Sequence, residues 1–203
     1  MSHSIIKSSA KKLQRAGSSL ERYAGLNKSN NNSTILVIDK SSSMNENVGS
    51  MTKWEHLIHA VNQHFNDDSH LCIAFSCGGI TYLTKCLPSE LNNVSPQGGT
   101  EMHYAFQYIL ENNLHEAYES IVVISDGETY GEDMTIQEAK KLGRKIDCIF
   151  IGHEKSDGWR FIRRLAKECD GKSDRVGADK DEIKLLGTKI TGLLGSGKGP
   201  IQL

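Results

Sequence analysis

Two short hydrophobic runs constrain this chain most: "TILVI" at residues 34–38 and "SIVVIS" at 120–125. Neither alternates apolar with polar side chains, as a strand with one wet face does, so each must be covered on both sides. Their length and their β-branched content mark them as strands rather than buried helices. Each runs directly into a carboxylate, Asp39 after the first and Asp126 after the second.

The intervening segments supply the cover. Residues 52–65 place Trp54, Leu57, Ile58, Val61 and Phe65 at helical spacing, and residues 101–114 do the same with Met102, Ala105, Phe106, Ile109 and Leu110. "LCIAFS" at 71–76 reads as a strand, and "ITYLT" at 80–84 reads as its hairpin partner across Gly78-Gly79. Further on come a helix at 133–142 closed by Gly143, a strand "IDCIFIG" at 146–152 and a helix at 157–168. A short extended piece at 173–177 and a last helix at 179–194 follow. Strands alternating with helices predict an α/β, three-layer sandwich around a mostly parallel central sheet. In such sheets ligands sit beyond the carboxyl ends of the strands, where Asp39 and Asp126 stand.

The domain is expected to span 34–194. Ahead of it, residues 1–33 form a basic arm. Ile6, Ala10, Leu13, Ala16, Leu20 and Tyr23 suit an amphipathic helix over 5–26, and "NKSNNNS" at 27–33 reads as a polar linker. This arm carries six Lys and Arg against Glu21 alone, while the remainder is net acidic. Such a segment can dock on its own acidic body, on an acidic partner, on nucleic acid or on a membrane surface. The tail 195–203 is expected to be flexible. Its "GLLGSGKG" fails as a phosphate loop, because it follows a helix, has Gly199 where Ser or Thr is needed, and runs into Pro200.

No stretch approaches the roughly 20 apolar residues of a membrane span, and residues 1–9 lack the apolar core of a signal peptide. Five scattered cysteines without a CxxC pair suit reduced thiols and a cytoplasmic location. His56 and His59 are one helical turn apart but have no further ligand at suitable spacing, so they read as a solvated helix face.

Three segments carry the chemistry: Asp39-Lys40-Ser41-Ser42-Ser43, a D-x-S-x-S pattern; "GGTEMHYAF", with Thr100 after Gly98-Gly99; and "ISDGETYG", with Asp126 at a strand end. Serines at i and i+2 on a tight loop can face one point, and hydroxyls are small neutral donors suited to the near-octahedral oxygen shell of Mg²⁺. Carboxylates behind them orient waters and hydroxyls. A cation held by neutral oxygens keeps most of its charge and seeks an anionic ligand.

Together the three segments resemble the von Willebrand factor type A (VWA) domain and its metal-ion-dependent adhesion site, over roughly residues 34–194. The resemblance implies a Rossmann-like sheet with one short antiparallel edge strand, for which 80–84 is available. It also implies metal ligation by Ser41, Ser43 and Thr100, with Asp39 and Asp126 acting mostly through water. The ion is expected to be Mg²⁺, with Mn²⁺ or Ca²⁺ as substitutes. Glu101, His103 and Glu128 follow the ligand positions and are expected at the site's rim. "GGTEMHYAF" and "SDGETYGED" are more particularly similar to the VWA domain of Ro ribonucleoproteins, although this chain has no room for Ro's RNA-binding helical ring.

The function implied is a non-enzymatic adaptor whose metal captures an Asp or Glu of a partner protein. Two alternatives stand beside it. A phosphohydrolase would use Asp39 as nucleophile, but the second carboxylate of a D-x-D motif is replaced by Ser41. A nucleic-acid-associated protein would bind through the basic arm.

Overall fold

The computed structural model describes residues 33–77, 83–127 and 129–195. The expected helix over 5–26, nearly all of the linker 27–33, the Gly78-Gly79 turn and the first residues of the 80–84 strand lie outside them. So do Glu128 and the tail from residue 196.

Strand β1 (Thr34–Asp39) lies in the middle of a six-stranded sheet. It pairs in parallel on one side with β4 (His70–Phe75) and on the other with β6 (Ser120–Ser125). Beyond β6 come β7 (Ile146–Ile151) and β8 (Ser173–Val176), both parallel. Beyond β4 comes β5 (Leu83–Cys86), the one antiparallel member, whose Cys86 pairs with Cys72. The short strands β2 (Asn47–Val48) and β3 (Met51–Thr52) form a separate hairpin, which the sequence reading did not foresee. Gly49 makes its turn, with φ of +71°.

Register sorts the strand side chains into two cores. Leu36, Ile38, Cys72, Ala74, Val122, Ile124, Ile149 and Ile151 share one face. Against it pack Trp54, Leu57, Ala60 and Val61 of α1 (Lys53–His64) and Leu186, Ile190 and Leu193 of α6 (Leu186–Gly195). The alternate residues, including Val37, Ile73, Phe75, Val123 and Phe150, are equally buried on the other face. There α2 (His103–Glu111), α4 (Glu132–Lys141) and α5 (Asp157–Glu168) supply the cover. The three layers and the antiparallel edge strand are as the sequence implied.

The element ends differ in instructive ways. Within the described residues the edge strand runs on to Cys86, two residues beyond the expected end at 84, because it pairs with β4 that far. The expected helix over 101–114 is α2 followed by a separate turn, α3 (Leu114–Ala117), divided where Asn113 takes φ of +52°. The last helix begins late. The Asp179 carboxylate accepts hydrogen bonds from the Asp181 and Glu182 amides, and a 3₁₀ turn at Ile183–Leu185 precedes α6.

The chain leaves β1 toward β4 on one side and returns after β5 to lay β6 on the other. Strand order therefore reverses at β1, and a crevice opens at the carboxyl ends of β1 and β6. The covering helices hold that crevice in place. Leu57 is fully buried in the α1 layer, so Leu57→Ala is expected to lower unfolding stability by about 2–5 kcal/mol, read from urea denaturation midpoints.

Candidate metal centre

β1 delivers Asp39 to the crevice with no exposed surface. Both its oxygens are engaged by neutral donors. Oδ1 accepts from the Ser41 amide at 2.8 Å, and Oδ2 accepts from the Ser125 hydroxyl at 2.6 Å. The first bond folds the chain back on itself directly after the strand. A 3₁₀ turn at Ser42–Asn45 then brings the Ser41 and Ser43 hydroxyls to 2.9 Å from each other. The i and i+2 serines thus converge on one point, as the pattern predicts.

The Gly98-Gly99-Thr100 loop is fastened to this turn by backbone bonds. The Ser42 amide donates to the Gly98 carbonyl at 2.9 Å, and Gln97 donates to the Lys40 carbonyl at 2.8 Å. On its other side Gly99 exchanges two backbone hydrogen bonds with Cys77. A Cβ at Gly99 would lie 2.6 Å from the Cys77 sulfur, so the loop approaches this closely only with glycine. Thr100 is buried, and its carbonyl accepts from the Tyr130 amide at 3.0 Å and the Thr129 hydroxyl at 3.2 Å. These bonds tie the second segment to the third.

β6 delivers Asp126 beside Asp39. The Ser125 hydroxyl links the two, since it donates to Asp39 and accepts from the Gly127 amide at 2.8 Å. Gly127 takes φ of +87°, and a Cβ there would meet the Gly158 backbone at 2.7 Å. The first turn of α5 is therefore seated directly behind Asp126. Asp126 Oδ2 receives the Lys53 ammonium at 3.2 Å. Its Oδ1 is buried with no hydrogen-bond partner among the described residues. A buried, unpaired carboxylate oxygen is costly, and it suits a site completed by a cation or by that cation's water.

The electrostatics follow from this crowding. Burial, with the Asp126 charge as the second cause, pushes the Asp39 carboxyl up to about 7. Burial alone would pull the Lys53 ammonium down, but hydrogen bonds to Glu46 and Asp126 carry it above its ordinary value.

The structure therefore brings Asp39, Ser41, Ser43, Thr100 and Asp126 onto three cross-linked loops at one sheet end. Glu101 is half-buried in the loop after Thr100. His103 is buried as the first residue of α2, its ring 4.1 Å from that of Tyr104. Glu128 is outside the described residues. Lys40, between Asp39 and Ser41, is buried, and burial lowers its pKa. His56 bonds the Val48 carbonyl and His59 bonds Gln63, away from any metal-type cluster. Among the described residues no three His, Cys, Asp or Glu side chains are grouped to hold a metal.

Two contributors escaped the sequence reading. Ser125 looked like the last residue of a strand. Lys53 looked like part of a helix, although the T-x-x-E capping box Thr52–Glu55 marks it as the first helical residue.

A family model described as VWA domain containing CoxE-like protein matches residues 6–151. The chain belongs to this family. No curated protein sequence matches it. This CoxE-like VWA chain is similar in fold to the conserved hypothetical protein BatB of Bacteroides thetaiotaomicron, at a TM-score of 0.54 and 18% identity over 79% of this chain and 98% of that one. It is also similar to a von Willebrand factor type A protein of Catenulispora acidiphila, with a TM-score of 0.57 and 18% identity over 79% of this chain and 42% of the other. A third likeness is to the manganese-loaded TRAP protein of Plasmodium vivax, at 0.53 and 18% over 75% and 71% of the two chains. Likeness at this identity speaks for the VWA fold.

Two outcomes follow from the site's geometry. The folded Asp39 titrates near 7 against an ordinary 3.8, so between these values the folded protein binds more protons than the unfolded chain. The metal-free protein is therefore expected to lose stability as pH rises from about 4 to about 7. In Asp39→Asn that slope should flatten, as checked by urea midpoints in EDTA across this range. Gly158→Ala would ordinarily favour a helix by roughly 1 kcal/mol. Here the added Cβ would lie 2.7 Å from the Asp126 carbonyl oxygen, so the melting temperature is expected to fall in a thermal scan.

Proposed function

We propose that this VWA domain is a non-enzymatic interaction module. It holds a divalent cation, Mg²⁺ by preference with Mn²⁺ or Ca²⁺ as substitutes, and takes an Asp or Glu of a partner protein as the last ligand. The observation that carries this reading is the convergence of the Ser41 and Ser43 hydroxyls, 2.9 Å apart, at the sheet end where a buried Asp126 oxygen has no hydrogen-bond partner among the described residues.

The residues suit the ion. Ser41, Ser43 and Thr100 would supply neutral oxygens directly, and Asp39 and Asp126 would act behind them on bound water. When bound, the cation supplies a concentrated positive charge that recognises a carboxylate. The chain's own residues do the rest. Asp39 fixes the Ser41 backbone, Ser125 links the two strand ends, and the backbone bonds of the Gly98-Gly99 loop tie the segment carrying Thr100 to the serine turn. That the TRAP protein was solved with manganese supports the same reading for this chain.

A catalytic reading is less well supported. The described hydrogen-bond partners of Asp39 are a backbone amide and a hydroxyl, neither of which is a general acid or base. Kinship with the Ro VWA domain in particular is proposed on "GGTEMHYAF" and "SDGETYGED" alone, and carries no RNA binding with it. No described helix is long and apolar enough to cross a membrane, and a cytoplasmic location is proposed from the free cysteines.

Titration calorimetry with MgCl₂ and MnCl₂ tests the proposal. One site per chain is expected, with affinity at least about tenfold weaker in Ser43→Ala and Thr100→Ala. Partner capture should be lost in EDTA and in both variants. A wild-type protein that binds neither ion would overturn the reading.

A further inference from the structure

Lys53 occupies an unusual place for a cation. It is the first residue of α1, fixed there by the reciprocal Thr52–Glu55 cap. The first turn of a helix is its electropositive end, where acids are favoured and a lysine is not. A lysine is also among the residues least often buried without a partner. Yet Lys53 is only 6% exposed. Three contacts compensate. Its amide donates to the Glu46 carbonyl at 3.0 Å, and its ammonium lies 2.7 Å from the Glu46 carboxylate and 3.2 Å from Asp126. Glu46 is largely solvated, so the ion chain runs from the surface through Lys53 to the floor of the site.

Charge counting shows what this achieves. Asp39 is satisfied by neutral donors alone, and Lys53 is the one cationic side chain hydrogen-bonded to either site aspartate among the described residues. Two buried carboxylates this close repel when both are ionised, and Lys53 offsets that repulsion. It also engages only Oδ2 of Asp126 and leaves Oδ1 for another cation or its water.

We propose that Lys53 is a built-in counter-cation of the metal site, holding Asp126 and stabilising the metal-free fold while competing electrostatically with the divalent ion. This rests on the metal reading proposed above. A tethered charge beside Asp126 repels an incoming cation, and at an effective dielectric near 20 one charge over several ångströms is a large effect. The domain would thus fold before metal arrives and bind it more weakly and reversibly than the bare carboxylates would.

The test compares full-length wild type with Lys53→Met and Lys53→Arg. Mn²⁺ affinity is read by calorimetry, and melting temperature is read in EDTA and in saturating MnCl₂. Lys53→Met is expected to bind Mn²⁺ about tenfold more tightly. It should melt lower than wild type in EDTA, with most of that deficit removed by Mn²⁺. Lys53→Arg, which keeps the charge, should stay close to wild type in affinity. If Lys53→Met does not fold in EDTA, folding is read in its presence and absence of Mn²⁺. Rescue by Mn²⁺ supports the proposal, and failure of rescue overturns it. Should wild type bind Mn²⁺ while Lys53→Met shows unchanged or weaker affinity, or an equal melting deficit in both buffers, Lys53 is a structural residue and this inference alone falls. If wild type binds no Mn²⁺, the metal reading falls and takes the inference with it.

Discussion

Two carboxylates buried side by side at the ends of neighbouring parallel strands are the constraint around which this protein is arranged. β1 and β6 are adjacent and in register, so the residues that follow them emerge together. Ionised carboxylates in such a place repel each other and lose their hydration. The surrounding structure offsets this with the Ser41 amide, the Ser125 hydroxyl and the Lys53 ammonium. The donors come from three separate segments, so the site cannot form until the sheet is assembled and α1 is docked upon it. Site and fold are therefore one cooperative structure.

The glycines around the centre follow from the same crowding. Gly99 lies against the Cys77 sulfur, and Gly127 lies against the backbone of Gly158. A side chain at either point would separate a loop from its support and move Thr100 or Asp126 away from the serines. This accounts for glycine both immediately before Thr100 and immediately after Asp126.

Much of this was legible in the chain of residues. Non-alternating strands demand cover on both faces, which leads to a layered α/β sandwich. The D-x-S-x-S spacing converges two hydroxyls through bonds that are local to the turn, so the approach of Ser41 to Ser43 could be read without the fold. Legibility failed where partners were distant. Ser125 looked like a strand terminus, and its bond to Asp39 spans 86 residues. Lys53 lay unremarked within the expected helix 52–65, and its partner Asp126 lies 73 residues away. Element ends shifted for similar reasons, because pairing with β4 carries the edge strand on to Cys86 and a positive-φ residue at Asn113 divides a continuous helical period.

The sequence by itself determined the layered fold class and the order of its elements, because these rest on periodicity that any local reading captures, and its resemblance to VWA domains marked Asp39, Ser41, Ser43, Thr100 and Asp126 as candidates. Only the tertiary structure decided that strand order reverses at β1, and with it that Asp39 and Asp126 share one crevice. It alone placed a lysine from the start of α1 against one of them and left that carboxylate's second oxygen without a hydrogen-bond partner among the described residues. Those are matters of strand adjacency and burial, which depend on how distant segments are brought together rather than on any segment's own composition.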